Sequence, residues 1–181
     1  MKLHLIFIIL ILFPAAAAVS QDQGEPSADL PRGFHGIELG MELDQVKELL
    51  LKDEFFYYRG DPDVSFLPLP KQTLIECPGK TYISRAYFQF EQEKLFIMIL
   101  ALNIKEVDYF SMFTTLSEKY GRPTYLEPSA AVWSSEEIRL SLEKPLTIKY
   151  IHLPVFNQLQ DQGKAKEGIL EYSRKEFLKE F

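Results

Sequence analysis

Outside the apolar N-terminal segment, three side chains have the reactivity that sequence alone can single out: His35, His152 and Cys77. Acid–base catalysis needs groups of matched pKa brought together, and a nucleophilic thiol needs a cationic or basic neighbour to ionise it. His35 falls in a loop at the domain edge. His152 alternates with Tyr150 and Ile148 along the last strand, so both histidines are expected to be structural. Cys77 lies in Thr73-Leu74-Ile75-Glu76-Cys77-Pro78, which reads as a strand running into a Pro-Gly turn, and it is expected to be a small buried apolar residue. No His-x-x-x-His, Cys-x-x-Cys or His-Glu-x-x-His spacing offers a zinc site. Asp61-Pro62-Asp63 lacks the alternating oxygens and distal Glu of a calcium loop and reads as a solvated turn. There is no Gly-x-Ser-x-Gly elbow and no glycine-rich phosphate loop; Ser134-Ser135-Glu136-Glu137 reads as a hairpin turn. Catalytic, cofactor-binding and metal-ligating residues are therefore assigned to none of these positions, and no cofactor is expected. A carboxylate pair for hydrolysis depends on three-dimensional pairing and carries no spacing signature.

The elements that would position such groups follow from periodicity. Gly36-Ile37-Glu38-Leu39-Gly40 is an extended lead into a helix in which Leu43, Val46 and Leu50 recur on one face, opposite Asp44, Gln45, Lys47 and Glu48. Phe55-Phe56-Tyr57-Tyr58 is strand-like, and a long loop follows through Gly60-Asp61-Pro62-Asp63 and Pro68-Leu69-Pro70. Strands are predicted over 82–90 and 94–102. The second is almost unbroken apolar, the pattern of a central strand covered on both faces. A helix over 107–120 places Tyr109, Phe110, Phe113, Leu116 and Tyr120 on one side, and Gly121 and Pro123 stop it. Strands over 131–133, 137–143 and 146–153 complete the pattern. The expected fold class is α+β, with helices packed on an antiparallel sheet, and the order of elements allows two helix-plus-hairpin repeats.

The N-terminus supplies an address. A charged start with Lys2, nine apolar residues from Leu5 to Phe13, Pro14, then Ala18 and Ser20 at −3 and −1 read as a secretory signal peptide over 1–20. The apolar run is short of the roughly 20 residues of a spanning helix, and position 21 is Gln where a bacterial lipoprotein has its cysteine. The expected organisation is a signal peptide over 1–20, a disordered leader over 21–33, a single α+β domain over 34–160 and a C-terminal helical tail over 161–181. Removing residues 1–20 deletes Lys2 and no acid, so the net charge of −6 becomes about −7. An acidic chain does not suit a nucleic-acid backbone or an anionic lipid surface. No nucleic acid and no stable membrane insertion after signal cleavage are therefore expected. One unpaired cysteine, with 46 % hydrophobic residues to build a core, suggests a bacterial envelope protein that needs no disulfide.

The stretch Gly36-Ile37-Glu38-Leu39-Gly40-Met41-Glu42-Leu43-Asp44-Gln45-Val46 resembles the Gly-Met-Ser/Thr-x-x-x-Val opening of small bacterial envelope domains. These include the SmpA/OmlA outer-membrane assembly lipoproteins and beta-lactamase-inhibitor-protein-like domains. Lys119-Tyr120-Gly121-Arg122-Pro123 is similar to their Lys-Tyr-Gly-x-Pro helix exit, whereas Glu42 stands where a capping Ser or Thr is usual. The whole chain also resembles secreted bacterial proteins of spirochaete type. The resemblance implies a helix-plus-antiparallel-sheet fold and protein binding without catalysis. The expected protein is thus a soluble exported envelope protein, periplasmic or secreted, that binds another envelope protein or assists envelope assembly. A hydrolase with an unmotifed carboxylate site and a small-ligand carrier are the alternatives. Of the aromatics Phe55, Phe56, Tyr57, Tyr58, Tyr82, Tyr87, Phe88, Phe90, Tyr125 and Trp133, most are expected in the core, and any left on an open sheet face would suit protein recognition.

Overall fold

The computed structural model describes residues 29–67 and 72–163, together with Lys175 and Leu178. The segment read as a signal peptide, the stretch read as a leader as far as residue 28 and most of the expected tail lie outside the described residues. Leu30 and Arg32, at the end of the stretch read as a leader, are engaged: Leu30 is buried and Arg32 pairs with Glu137 at 2.7 Å.

The ordered chain opens with a two-stranded ribbon, β1 (Gly33–Phe34) and β2 (Ile37–Glu38). His35 and Gly36 turn it with φ of 52° and 82°, the positive-φ pair that a two-residue hairpin requires. Only glycine fits at Gly33, where a Cβ would lie 1.9 Å from the Ile37 carbonyl oxygen. Helix α1 (Leu43–Lys52) follows, and Gln45 Oε1 accepts from the Glu42 N–H at 3.1 Å, so half of a capping box forms although Glu42 replaces Ser or Thr. Then come β3 (Val64–Phe66), β4 (Gln72–Pro78), β5 (Ile83–Glu91) and β6 (Lys94–Leu102). After helix α2 (Tyr109–Tyr120) the chain forms β7 (Tyr125–Glu127), β8 (Ala130–Ser134), β9 (Ile138–Glu143), β10 (Thr147–His152) and helix α3 (Leu153–Asp161).

The expected α+β class is not what these elements build. Strands β3 to β10 form one eight-stranded antiparallel sheet in the order β3-β4-β5-β6-β10-β9-β8-β7, accompanied by the short helices α1, α2 and α3, so the fold of the described residues is β-rich. The units expected as helix-plus-hairpin are instead four-stranded meanders, β3–β6 and β7–β10, joined edge to edge through β6 and β10. The misreading has a local cause. The edge strands β3 and β7 are three residues each and mostly exposed, so they lack the alternation that marks a half-buried strand. Phe55-Phe56-Tyr57-Tyr58, read as a strand, makes only an isolated bridge from Phe56 to Gly79.

The two faces of the sheet are unlike. Alternate residues of each strand point to opposite faces, and one set is almost wholly apolar: Ile75, Phe88, Met98, Leu100, Leu140, Leu142, Ile148 and Trp133. Val46 and Leu50 of α1 and Leu116 of α2 pack on this inner face. Each such buried side chain contributes about 1.5–3 kcal/mol. The stripe expected on α2 is narrower than its sequence suggests. Leu116 is buried and Phe113 rests on Trp133 with centroids 6.2 Å apart, but Phe110 is 74 % exposed. Trp133 also donates its indole N–H to the Gly121 carbonyl at 2.8 Å, which satisfies an acceptor at the end of α2. On the outer face Tyr87, Ile97, Ile99 and Ile151 pack against Val155, Phe156 and Leu159 of α3. The last strand was expected to run to residue 153. It stops at His152, because Pro154 in the first helical turn favours helix over a further ladder bond.

Candidate functional site

The residues that could carry chemistry are dispersed. Cys77 points into the inner-face core, and burial, with the Asp63 carboxylate nearby, pushes its thiol up to about 12. His35 is exposed on the ribbon turn and bonds through Nδ1 to Asp53 Oδ2 at 2.6 Å, with its ring edge-on to Phe55. His152 caps α3, far along the sheet from Cys77 in register; burial first and the Arg32 charge second lower its pKa. No His neighbours Cys77 in the strand ladder, where Ala86 is its partner.

Asp63 departs from the expected solvated turn. It is buried in a 3-10 turn, where Arg59 Nε donates to its Oδ1 at 2.9 Å and the Arg59 backbone N–H donates to its Oδ2 at 2.8 Å. Its acceptors are thus committed within the protein. Ser135 behaves as a hairpin residue: its Oγ accepts from the Ile138 N–H at 3.0 Å and its own N–H donates to the Ile138 carbonyl at 2.9 Å. Among the described residues no group of three His, Cys, Asp or Glu side chains is placed to hold a metal ion.

What the fold does assemble is a groove of about 680 Å³ on the outer face, over the part of the sheet that α3 leaves open. Ile97, Ile99, Ile151 and Val132 form its floor, Phe156 of α3 closes one side and Tyr125 of β7 the other. The floor is polar where β9 and β10 cross it. Lys149 pairs with Glu143, and Ser141 donates to the same carboxylate at 3.0 Å. The Arg139 side chain is exposed in the groove and, among the described residues, has no hydrogen-bond or ion-pair partner. Of the acids here, Glu143 is ion-paired with Lys149, and the exposed Glu127 accepts from the Tyr125 hydroxyl at 3.4 Å. Beyond β7, on the inner side, lies a shallower hollow of about 450 Å³ lined by Tyr109, Phe113, Leu126 and Lys144. The Lys144 ammonium sits 5.6 Å from the Tyr109 ring centroid.

Sequence reasoning did not reach this groove. Ile97, Ile99 and Ile151 are apolar residues within strands, read as core and buried in the structure, and nothing local reveals that the outer face beside them is partly open. Of the ten aromatics singled out, Phe56, Tyr87, Phe88, Phe90 and Trp133 are buried, while Tyr57, Tyr82 and Tyr125 are exposed. Only Tyr125 among them borders the groove.

Among the described residues no helix is long and apolar enough to cross a membrane. No curated protein and no solved structure matches the chain significantly. The TP0088 domain profile matches residues 32–162, a span that begins just before β1 and ends just after α3. That span holds the ribbon, strands β3 to β10 and helices α1, α2 and α3, in keeping with the spirochaete-type likeness of the sequence. With most of its length inside the match, the chain belongs to the TP0088 domain family.

Proposed function

We propose that this is an exported, non-enzymatic envelope protein that binds another protein through the outer-face groove. The observation that carries the reading is the groove's make-up: a trough in which the half-buried Val132 lies beside the buried Ile97, Ile99 and Ile151, with aromatic sides and an Arg139 side chain that has no partner among the described residues. Interfaces are enriched in aromatics and arginine around an apolar centre. A hydrolase would need acids facing each other, and a small-ligand carrier would need enclosure; in the trough Glu143 is paired with Lys149 and Glu127 is exposed at the rim. The likeness of the Gly40-Met41 helix opening to the SmpA/OmlA and beta-lactamase-inhibitor-protein-like domains adds to this reading, and the apolar N-terminus supports export.

The test is a photo-crosslinking residue at Val132, on the groove floor, in the producing cells. The expected result is one protein adduct of defined mass, lost when Arg139→Glu and Tyr125→Ala are introduced together. Folded, exported protein that gives no adduct from Val132 overturns the reading. The exported form should begin at or near Gln21 by mass spectrometry, whereas an intact Met1 in a membrane fraction refutes export.

A further inference from the structure

We propose that β7 is a strand-addition site: an extended segment of the partner protein pairs with its outer edge and sends alternate side chains into the hollows on the two faces of the sheet. The inference rests on the protein-binding reading above and specifies how the partner is held. Three observations carry it. First, among the described residues β7 is the end of the sheet, with β8 as its strand partner, so one side of its backbone is unpaired. β7 is short and ends in the charged Glu127, features that limit edge pairing, but Tyr125 is 59 % and Leu126 61 % exposed beside that open edge.

Second, the edge has a pocket on each side. Tyr125 borders the 680 Å³ groove of the outer face, and Leu126 borders the 450 Å³ hollow beneath α2. Successive side chains of an added strand point to opposite faces, so one set would enter the groove and the other the hollow. A ligand held in a single cavity would use only one of these. Backbone pairing supplies affinity in such complexes, and pockets for alternate side chains supply selectivity.

Third, the charges specify the occupant. Among the described residues the Arg139 side chain has no partner in the groove, the Lys149 and Glu143 charges there are paired, and Lys144 and Glu127 line both cavities together. The fitting segment therefore alternates apolar residues and carries a carboxylate that reaches Arg139. Pro123 and Pro128 bracket the edge, and because neither has an N–H to donate, pairing is confined to the residues between them. The occupant is a short strand.

The probe is a fluorescein-labelled, acetylated peptide, Ser-Val-Glu-Val-Thr-Val-Ser, together with an analogue N-methylated at alternate amides, each titrated against the intact protein. Polarisation reads affinity, and amide NMR maps the contact. The expected result is saturable binding, weakened at least about 10-fold by N-methylation and by Arg139→Glu, with shifts at the amides of residues 125–127. Amide shifts elsewhere unchanged in Arg139→Glu show that the variant is folded. Binding that tolerates N-methylation and shifts only groove-floor amides overturns strand addition but leaves the protein-binding groove standing. No binding at about 1 mM probe, with a Val132 adduct still formed in cells, also overturns it. Concentration-dependent self-association that shifts residues 125–127 without probe assigns the edge to a second copy and overturns the proposal.

Discussion

Phe110 and Phe113 stand three residues apart on α2 and give a matched pair of perturbations. Phe→Ala at either position brings the same gain in intrinsic helix propensity, roughly 0.5 kcal/mol. The difference between the two variants therefore reports burial. Phe110 is 74 % exposed, so its truncation is expected to fall within about 0.5 kcal/mol of neutral. Phe113 is partly buried in the main core and packs at 6.2 Å on Trp133, whose own indole anchors the end of α2. A fully buried phenylalanine costs about 3–5 kcal/mol when cut to alanine. Phe113 keeps some solvent contact, so about 2–3 kcal/mol is expected, of which roughly 0.5–1.5 belongs to the ring–ring contact. Urea unfolding with a common slope, or calorimetry with a Tm shift of about 2–4 °C per kcal/mol, reads both values. Equal costs at the two positions, or less than about 1 kcal/mol at Phe113, would refute the packing of α2 on the inner face.

Native Cys77 should resist thiol reagents until the protein unfolds, because burial holds the thiolate out of reach, and Cys77→Ser should cost about 1–3 kcal/mol for a buried hydroxyl; rapid labelling of folded protein contradicts this. The β5–β6 turn forces Gln92 and Glu93 to φ of 50° and 65°. Replacing them with Asn and Gly should raise stability by about 1 kcal/mol in urea titrations, and an unchanged midpoint counts against the turn geometry. His152 has a lowered pKa in the folded protein, so below its ordinary value of 6.5 the unfolded chain binds more protons than the native one. Stability should therefore rise with pH through the window just below 6.5 and be lost as pH falls through it. His152→Gln should flatten that slope, and an unaltered pH profile refutes the assignment.

Much of the helix and strand grammar was legible along the chain. The Val46 and Leu50 stripe, the Gly121 stop and the apolar run of β6 are each set by neighbours within a few residues, where side-chain periodicity and backbone preference act directly. Cys77 was readable as a packed thiol for the same reason. The β-rich class was not legible, because β3 and β7 exist only by pairing with β4 and β8, and short exposed strands carry no period of their own. The burial of Asp63 depends on Arg59 folding back over a 3-10 turn, and aspartate with proline alone signals only a turn. Above all, the groove belongs to tertiary structure. The pairing of β6 with β10 brings Ile99 opposite Lys149 and Ile97 opposite Ile151, residues about fifty positions apart in the chain. A strand sends half its side chains to each face whatever lies there; which face is sealed depends on where α1, α2 and α3 come to rest, and that is decided by contacts across the whole sheet.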